Sequence, residues 1–244
     1  LKHLKMDGDI MLKKLLAAGL LTVAFTAAPL FDAEVMPTAI AAPSNVTMEN
    51  YPALTGKTQM AQMTSKDMRE IKRTAPELKK ISDWNRRVAY YLGEKDYAVS
   101  TMWSPQRIQL ITPYSLTKYL YFLADQELVA PNQKLIDEVA AMKDVVWVWV
   151  WNSGSYNIMN NNPVPTIENV VIRSKDNDYF YHLDKEAYMP VGAMKAAKVD
   201  TAQLWPFPAK VFSQSQIPFE IVLMDSADNK KPLKIKEDDL AKCK

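Results

Sequence analysis

The segment VVWVWVW, residues 145–151, constrains the fold of this chain more than any other segment. Because side chains alternate between the two faces of a strand, Trp147, Trp149 and Trp151 share one face and the intervening valines share the other. A strand that is apolar on both faces is usually central in its sheet and covered on both sides. The segment therefore predicts a central strand with a packing layer on each face.

The same tryptophan row also allows a functional interpretation. Indole rings that stay exposed on a sheet present flat apolar surfaces, which suit the apolar faces of sugars or peptides. A fully exposed row would, however, be an aggregation-prone apolar strip. We therefore favour a buried row, with Trp147 and Trp149 in the core and Trp151 partly open at the end of the strand.

The loop that follows this strand carries the other candidate ligand-binding residues. Residues 152–162 are rich in amide side chains and include Tyr156, Asn160 and Asn161. Long loops that carry such residues are often functional. Together with Trp151, these three residues form the predicted ligand-binding site.

The region before the tryptophan row is predicted to be mostly helical. A short helix capped by Thr64 or Ser65 runs to Arg73, and apolar residues then recur at spacings of three and four, which predicts a second helix. That apolar stripe comprises Leu78, Ile81, Trp84, Val88 and Tyr91, and Gly93 ends it.

A strand over 107–112 and two helices, about 113–128 and 131–143, precede the tryptophan row. If this strand and the tryptophan strand shared a sheet, a helical crossover of that length would make them parallel. A helical insertion between strands of a β-sandwich would give the same pattern.

The remaining sequence is predicted to be mostly β. Two hairpins are indicated, the first over 166–185 around the turn KDND and the second from 217 into the segment PLKIKEDDL. The segment LWPFPAKVF contains two prolines and is therefore an edge strand or a connection. The predicted fold class is α+β, with a helical N-terminal half packed on a mainly antiparallel β-sheet or β-sandwich and a two-helix insertion between strands.

The first 41 residues have the three parts of a secretory signal peptide. Read from Met11, the predicted true start, two lysines precede the uncharged segment 15–31, and Ala39-Ile40-Ala41 offers a cleavage site after Ala41. An uncleaved membrane anchor is the alternative. We expect a flexible linker over 42–64 and one mixed domain over 65–244, with a helical first half (65–142) and a β-rich second half (143–244).

The scarcity of histidine and cysteine excludes several chemistries. From Ala42 onward the chain has one histidine, His182, and one cysteine, Cys243. Zinc sites need three or four protein ligands, and a triad needs a placed histidine partner, so no metal site, cofactor or catalytic residue is predicted. The Asx-rich runs at 176–178 and 225–229 are better explained as turns than as calcium loops. The alternative of two catalytic carboxylates that lie far apart in the sequence, as in glycosidases, is left open. Its candidate acids are Glu127, Glu138, Glu168, Glu186 and Glu220.

The charge balance limits the partners. Lys and Arg total 30 against 28 for Asp and Glu, and the charges are interspersed, so nucleic acid is not an expected partner. We interpret the chain as an exported bacterial protein, periplasmic or extracellular, that acts as a non-enzymatic cell-envelope binding or interaction module. A carbohydrate-binding or carboxylate-based carbohydrate-active protein is the alternative. The expected partner is thus an envelope protein or a glycan, and a membrane is engaged only through an uncleaved N-terminal segment.

Overall fold

A computed structural model describes residues 46–54, 58, 60, 63–99, 102–152, 167–213, 217–225 and 230–244. These residues belong to one compact unit. The predicted signal peptide, its cleavage site and the start at Met11 lie outside the described residues. Most of the loop after the tryptophan strand also lies outside them.

The fold is a mixed α+β architecture with two antiparallel sheets. The first sheet has the strand order β1-β2-β3-β6, and the second has the order β5-β4-β7-β8. The strands of the first sheet are β1 (Tyr90–Val99), β2 (Met102–Ile111), β3 (Val145–Asn152) and β6 (Leu204–Pro208). Those of the second are β4 (Ile167–Arg173), β5 (Tyr179–Tyr181), β7 (Phe219–Asp225) and β8 (Lys230–Ile235).

Six α-helices accompany the sheets in the described part of the chain. They are α1 (Ser65–Thr74), α2 (Asn85–Val88), α3 (Pro113–Gln126), α4 (Gln133–Ala141), α5 (Val191–Ala196) and α6 (Glu237–Leu240). Short 3-10 helices lie at Ala75–Lys80, Thr201–Gln203 and Ala209–Phe212.

The tryptophan strand β3 is central in its sheet, between β2 and β6, as its sequence predicts. Val146, Val148 and Val150 are buried in the core that the two sheets share. Trp147 and Trp149 are buried on the opposite face, in a second core built with the helices. The layers are therefore helices, first sheet and second sheet, and β3 supplies apolar side chains to both cores.

Two predicted helix starts are confirmed by their capping hydrogen bonds. Thr64 and Asp67 form a reciprocal capping box at the start of α1. Thr112 and Ser115 form another at the start of α3, where Pro113 occupies the first turn. In both cases a hydroxyl accepts from a backbone N–H that would otherwise lack a partner.

The prediction of one long helix through Tyr91 is wrong. The chain forms a 3-10 helix, then the short helix α2, and enters β1 at Tyr90. The apolar spacing still fits, because both helical turns place Leu78 and Val88 in the helical core. The helical description of residues 65–142 therefore fails at β1, whereas the strand predicted over 107–112 is confirmed as part of β2 (Met102–Ile111).

Gly93 does not end a helix but lies within β1, next to a register shift between β1 and β2. A Cβ atom at this position would lie 2.9 Å from the side chain of Leu233 in β8. The glycine therefore permits close approach of the two sheets.

The conditional prediction of parallel strands around the helical pair is also wrong. β2 and β3 share a sheet, but they are antiparallel neighbours, with Ile111 opposite Trp147. One crossover helix carries the chain back along the sheet, so that the next strand starts at the same end as the first and runs parallel to it. A second helix reverses that path, so that the next strand starts where the first one ended and runs antiparallel to it. The pair α3–α4 therefore acts as an insertion, which was the other reading of the sequence.

Both predicted hairpins are confirmed. β4 pairs with β5 around the turn at 174–178, and β7 pairs with β8, all antiparallel. The segment with Pro206 and Pro208 is β6, which lies at an edge of the first sheet and, among the described strands, pairs with β3 alone. The segment after Tyr188 forms the short helix α5.

Part of the predicted linker is hydrogen-bonded to the domain. The Tyr51 hydroxyl donates to the Tyr181 carbonyl at 2.7 Å, and the Met48 N–H donates to the Tyr188 hydroxyl at 3.0 Å. Burial raises the pKa of Tyr51, because a phenolate there would lose its hydration. Residues 46–54 therefore contribute to the packing of the domain.

Candidate functional site

The tryptophan row passes from the core to the surface along β3. Trp147 is fully buried, and its indole N–H donates to the Tyr188 carbonyl at 2.9 Å. Trp149 is 2% exposed and packs at 5.7 Å, centroid to centroid, against Trp84. The prediction that these two residues are buried is confirmed. The row thus anchors the sheet to the helical layer.

Trp151 is the half-buried end of the row. Arg107 lies directly opposite it on β2, with the guanidinium carbon 5.1 Å from the centre of the ring. This geometry is a cation–π contact, which is favourable because the ring face carries partial negative charge. Of the four predicted ligand-binding residues, the structure places only Trp151, since Tyr156, Asn160 and Asn161 lie outside the described residues.

Two further aromatic side chains lie near this end of the first sheet. Trp84, which precedes α2, is 37% exposed, and Tyr91 on β1 is 42% exposed. The Arg86 guanidinium carbon lies 5.3 Å from the Tyr91 ring centre. Both rings belong to the group of exposed large apolar residues that often mark binding surfaces.

Strand register brings these residues together. Tyr91, Gln109 and Trp149 are opposite one another across β1, β2 and β3, and the neighbouring row consists of Glu94, Arg107 and Trp151. We call the set of Trp84, Arg86, Tyr91, Arg107 and Trp151 the aromatic–arginine surface.

A chain of ion pairs connects the two arginines. Asp83 lies 3.7 Å from Arg86 and 3.9 Å from Arg107, and Arg107 lies 3.2 Å from Glu94. All of these side chains are a third or more exposed, so each pair contributes little to stability. The network lies beside the two guanidinium groups that stack on Tyr91 and Trp151.

Of the five members of this surface, the sequence analysis predicted only Trp151. It assigned the segment from Trp84 to Tyr91 to one helix, whereas Trp84 precedes the short helix α2, Arg86 lies in α2 and Tyr91 lies on the edge strand β1. The available signal was their composition, because Trp, Tyr and Arg are the residues most enriched at interaction hot spots.

Two of the candidate acids have structural partners. The Glu138 carboxylate accepts from the Gly192 N–H at 2.7 Å and the Ala193 N–H at 3.1 Å, at the start of α5. Glu220 pairs with Arg173, its opposite neighbour across β4 and β7. Glu127, Glu168 and Glu186 are exposed. These contacts give each of the two half-buried acids, Glu138 and Glu220, a structural partner.

The single histidine lies in a packing environment. The His182 Nδ1 atom is 2.7 Å from the Leu183 carbonyl oxygen, and the ring meets Phe207 edge-on at 6.5 Å. Burial lowers the pKa of His182, since the charged imidazolium loses water there, and nearby Lys185 acts in the same direction. The residue makes one hydrogen bond, as expected of a structural histidine.

The single cysteine in the described part of the chain is buried. Cys243 is 4% exposed, and its Sγ lies 3.8 Å from the Asp239 carbonyl oxygen. Burial raises the pKa of the Cys243 thiol to about 12. Because the thiolate is the reactive form, this environment makes the residue inert.

The acidic turn at 174–178 has the geometry of a plain turn. The Ser174 Oγ accepts from the backbone N–H groups of Asp176 and Asp178, and Asn177 has φ 66°. Asn tolerates this left-handed conformation better than most residues. Within the described ranges, no three His, Cys, Asp or Glu side chains group closely enough to hold a metal ion.

A separate cavity of about 500 Å³ lies between α1 and α4. Three methionines line it, namely Met63, Met68 and Met142, together with Ile136 and Asp137. Methionine side chains adapt to many shapes, so such walls occur both in loosely packed grooves and in binding pockets. None of the residues that line this cavity belongs to the aromatic–arginine surface.

The fold and the surface together describe an α+β protein with a partly exposed patch of aromatic and arginine side chains. No protein-family model, curated protein or solved structure matches this chain. Among the described helices, none combines the length and the apolar composition that crossing a membrane requires.

Proposed function

We propose that this chain is an exported, non-enzymatic interaction module that binds a protein partner of the cell envelope through the aromatic–arginine surface. The observation that carries the proposal is the stacking of arginines on partly exposed aromatic rings at one end of the first sheet. Trp, Tyr and Arg dominate the energetics of protein–protein interfaces because they bury large areas and keep directional hydrogen-bond donors.

The same contacts favour a protein over a glycan. A sugar that stacks on an aromatic ring needs an open ring face. Arg86 covers one face of Tyr91, and Arg107 covers one face of Trp151. The Trp84 side chain is 37% exposed, but its ring packs against the Trp149 ring. Carbohydrate binding is therefore the alternative function, and the experiment must distinguish it from binding of a protein partner.

Export is proposed from the sequence of the first 41 residues. The lysines at 13 and 14, the uncharged segment after them and the small residues before Ala42 support secretion and cleavage. N-terminal sequencing of the protein recovered from the periplasm or medium tests this part. A first residue near Ala42 supports it, and retention of the uncharged segment in the membrane fraction refutes cleavage.

The binding surface is tested with a double variant, Trp84→Ala with Trp151→Ala. Wild-type and variant proteins are used to capture partners from envelope extracts, with quantification by mass spectrometry. The variant should lose its specific partner at least about 30-fold, because hot-spot truncations cost 2 kcal/mol or more. Leu128→Ala is the matched control, since Leu128 is apolar and 92% exposed but lies at the end of α3.

Equal capture by the wild type and the double variant would refute the proposed surface. A glycan array screened with the same proteins separates the alternative function. Glycan binding that depends on Trp84 and Trp151 would replace the protein partner with a carbohydrate ligand. Circular dichroism and thermal melting of each variant confirm that the fold is intact.

A further inference from the structure

The cavity between α1 and α4 combines an apolar floor with two opposite charges. Its volume of about 500 Å³ lies within the range of about 300–1,000 Å³ that small-molecule sites occupy. The floor includes Ile136 and Val139, which are buried in α4, and Pro113 at the start of α3. Ligand sites of this size are mostly apolar and carry a few polar groups that orient the ligand.

The walls of the cavity are methionine side chains. Met63 and Met68 lie on either side of the capping box of α1, at positions that commonly pack against each other, and Met142 follows α4. All three are half-buried. Because methionine is flexible and polarizable, such walls adapt to apolar groups of different shapes.

Two exposed side chains of opposite charge also line the cavity. The Asp137 Oδ1 atom accepts from the Gln133 side-chain amide at 2.7 Å, which orients the carboxylate and leaves Oδ2 without a donor among the described residues. Lys143 forms no ion pair with Asp137 or with any other acid in the described ranges. The cavity therefore offers one anionic and one cationic group to a ligand.

The spacing of these two charges indicates the length of a matching ligand. Asp137 lies in α4 and Lys143 just beyond its end, six residues apart, which at about 1.5 Å per residue corresponds to roughly 9 Å. An extended tripeptide has nearly this length, at about 3.3–3.6 Å per residue. A free amino acid carries its ammonium and carboxylate groups on one carbon and matches the spacing poorly.

We propose that this cavity binds short apolar peptides with free termini, about three residues long, with the ammonium group at Asp137 and the carboxylate at Lys143. The bound peptide runs parallel to α4, and its apolar side chains pack on the floor and the methionine walls. The cavity shares no residue with the aromatic–arginine surface, so this binding activity is additional to the proposed function and does not depend on it.

The test compares the peptide Leu-Ala-Leu with its N-acetylated and its C-amidated forms. Residues one and three of an extended peptide share a face, so both leucines can contact the floor. Isothermal titration calorimetry with the full chain measures each affinity. Each capped form should bind about fivefold more weakly, as expected for the loss of one partly exposed ion pair. Ser-Ala-Ser should bind at least about tenfold more weakly, because it lacks the leucine side chains.

Two variants assign the ends of the peptide to their partners. Asp137→Asn should weaken binding of the free and the amidated peptides about fivefold and leave the acetylated peptide unchanged. Lys143→Gln should weaken binding of the free and the acetylated peptides and leave the amidated peptide unchanged. Asp125→Asn and Lys134→Gln are the matched controls, since both residues are exposed and neither lines the cavity.

NMR of isotope-labelled methionine methyl groups locates the bound peptide. The signals of Met63, Met68 and Met142 should shift on addition of Leu-Ala-Leu, whereas that of Met224 on β7 should not. The capped peptides require no substitution, so the comparison stands even if a variant fails to fold. No binding at millimolar Leu-Ala-Leu, equal affinities for the free and capped forms, or shifts confined to other methionines would overturn the proposal.

Discussion

Arg107 and Trp151 lie directly opposite each other on β2 and β3, with the guanidinium carbon 5.1 Å from the centre of the ring. Arg107 also pairs with Glu94 across β1 and with Asp83 before α2. One side chain therefore joins three strands and a turn at the surface where we place binding.

The Arg107–Trp151 contact should have a measurable coupling energy. In a double-mutant cycle with Arg107→Met and Trp151→Leu, we expect a coupling of about 0.5–1 kcal/mol in the free energy of unfolding, as for partly exposed cation–π pairs. Urea denaturation at low and high salt measures it. Additive effects of the two substitutions would show that the ring and the guanidinium do not interact in solution.

Trp147 should contribute far more to stability than Trp84. Trp147 is 0% exposed and donates a hydrogen bond to Tyr188, whereas Trp84 is 37% exposed. Trp147→Ala should lower the free energy of unfolding by about 3–5 kcal/mol, through lost burial and the cavity left behind. Trp84→Ala is the matched comparison, and equal losses for the two variants would contradict the burial seen here.

Gln109 should be replaceable by an apolar residue. It is 1% exposed, and its Oε1 accepts no hydrogen bond from the residues that the structure describes, so its burial carries a desolvation cost. Gln109→Met keeps the shape and should leave stability unchanged or raise it by about 1 kcal/mol. The midpoint of chemical denaturation measures this. A loss above about 1 kcal/mol would instead indicate a bound water that satisfies the amide.

His182 should make the fold sensitive to mild acid. Folding lowers the pKa of His182, so the unfolded chain binds its proton more readily, and stability should fall as the pH drops through about 6.5. The melting temperature should therefore decrease between about pH 7.5 and 5.5. His182→Gln should flatten this dependence, and an equal loss in both proteins would assign it to other groups.

Cys243 should be unreactive in the folded protein. Burial raises the pKa of its thiol to about 12, so almost no thiolate exists at pH 8. Ellman's reagent should modify Cys243 at least about 100-fold more slowly in the native state than in 6 M guanidinium chloride. Rapid native labelling would show that the segment around α6 opens readily.

The features that sequence predicted best are those that depend on neighbours along the chain. The capping boxes at Thr64 and Thr112 are local, because each hydroxyl meets an N–H three residues away. The turn at 174–178 and its hairpin are local for the same reason. The alternation in VVWVWVW also predicted the position of its strand from local sequence alone, since a strand that is apolar on both faces usually lies between two layers.

The features that sequence missed depend on pairing with distant segments. Tyr91 continues the apolar spacing of the preceding turns, but residues 90–99 form a strand because β2 offers a partner from Tyr90 to Val99. The members of the aromatic–arginine surface come from three strands and from the segment 84–86 at the start of α2. Only the register of those strands, which no local pattern encodes, brings Tyr91 and Arg107 to the same end of the sheet.

By itself, then, the sequence determined the central position of the tryptophan strand, the helix starts, the hairpins and the shortage of histidine and cysteine that disfavours metal or triad chemistry. The tertiary structure decided that β2 and β3 are antiparallel, that Arg107 stacks on Trp151, and that residues 90–99 form an edge strand of the first sheet. The physical reason is the separation along the sequence of the residues that interact. Capping and alternation follow from steric and hydrogen-bonding preferences within a few residues, whereas sheet order and register follow from burying two faces of one sheet at once.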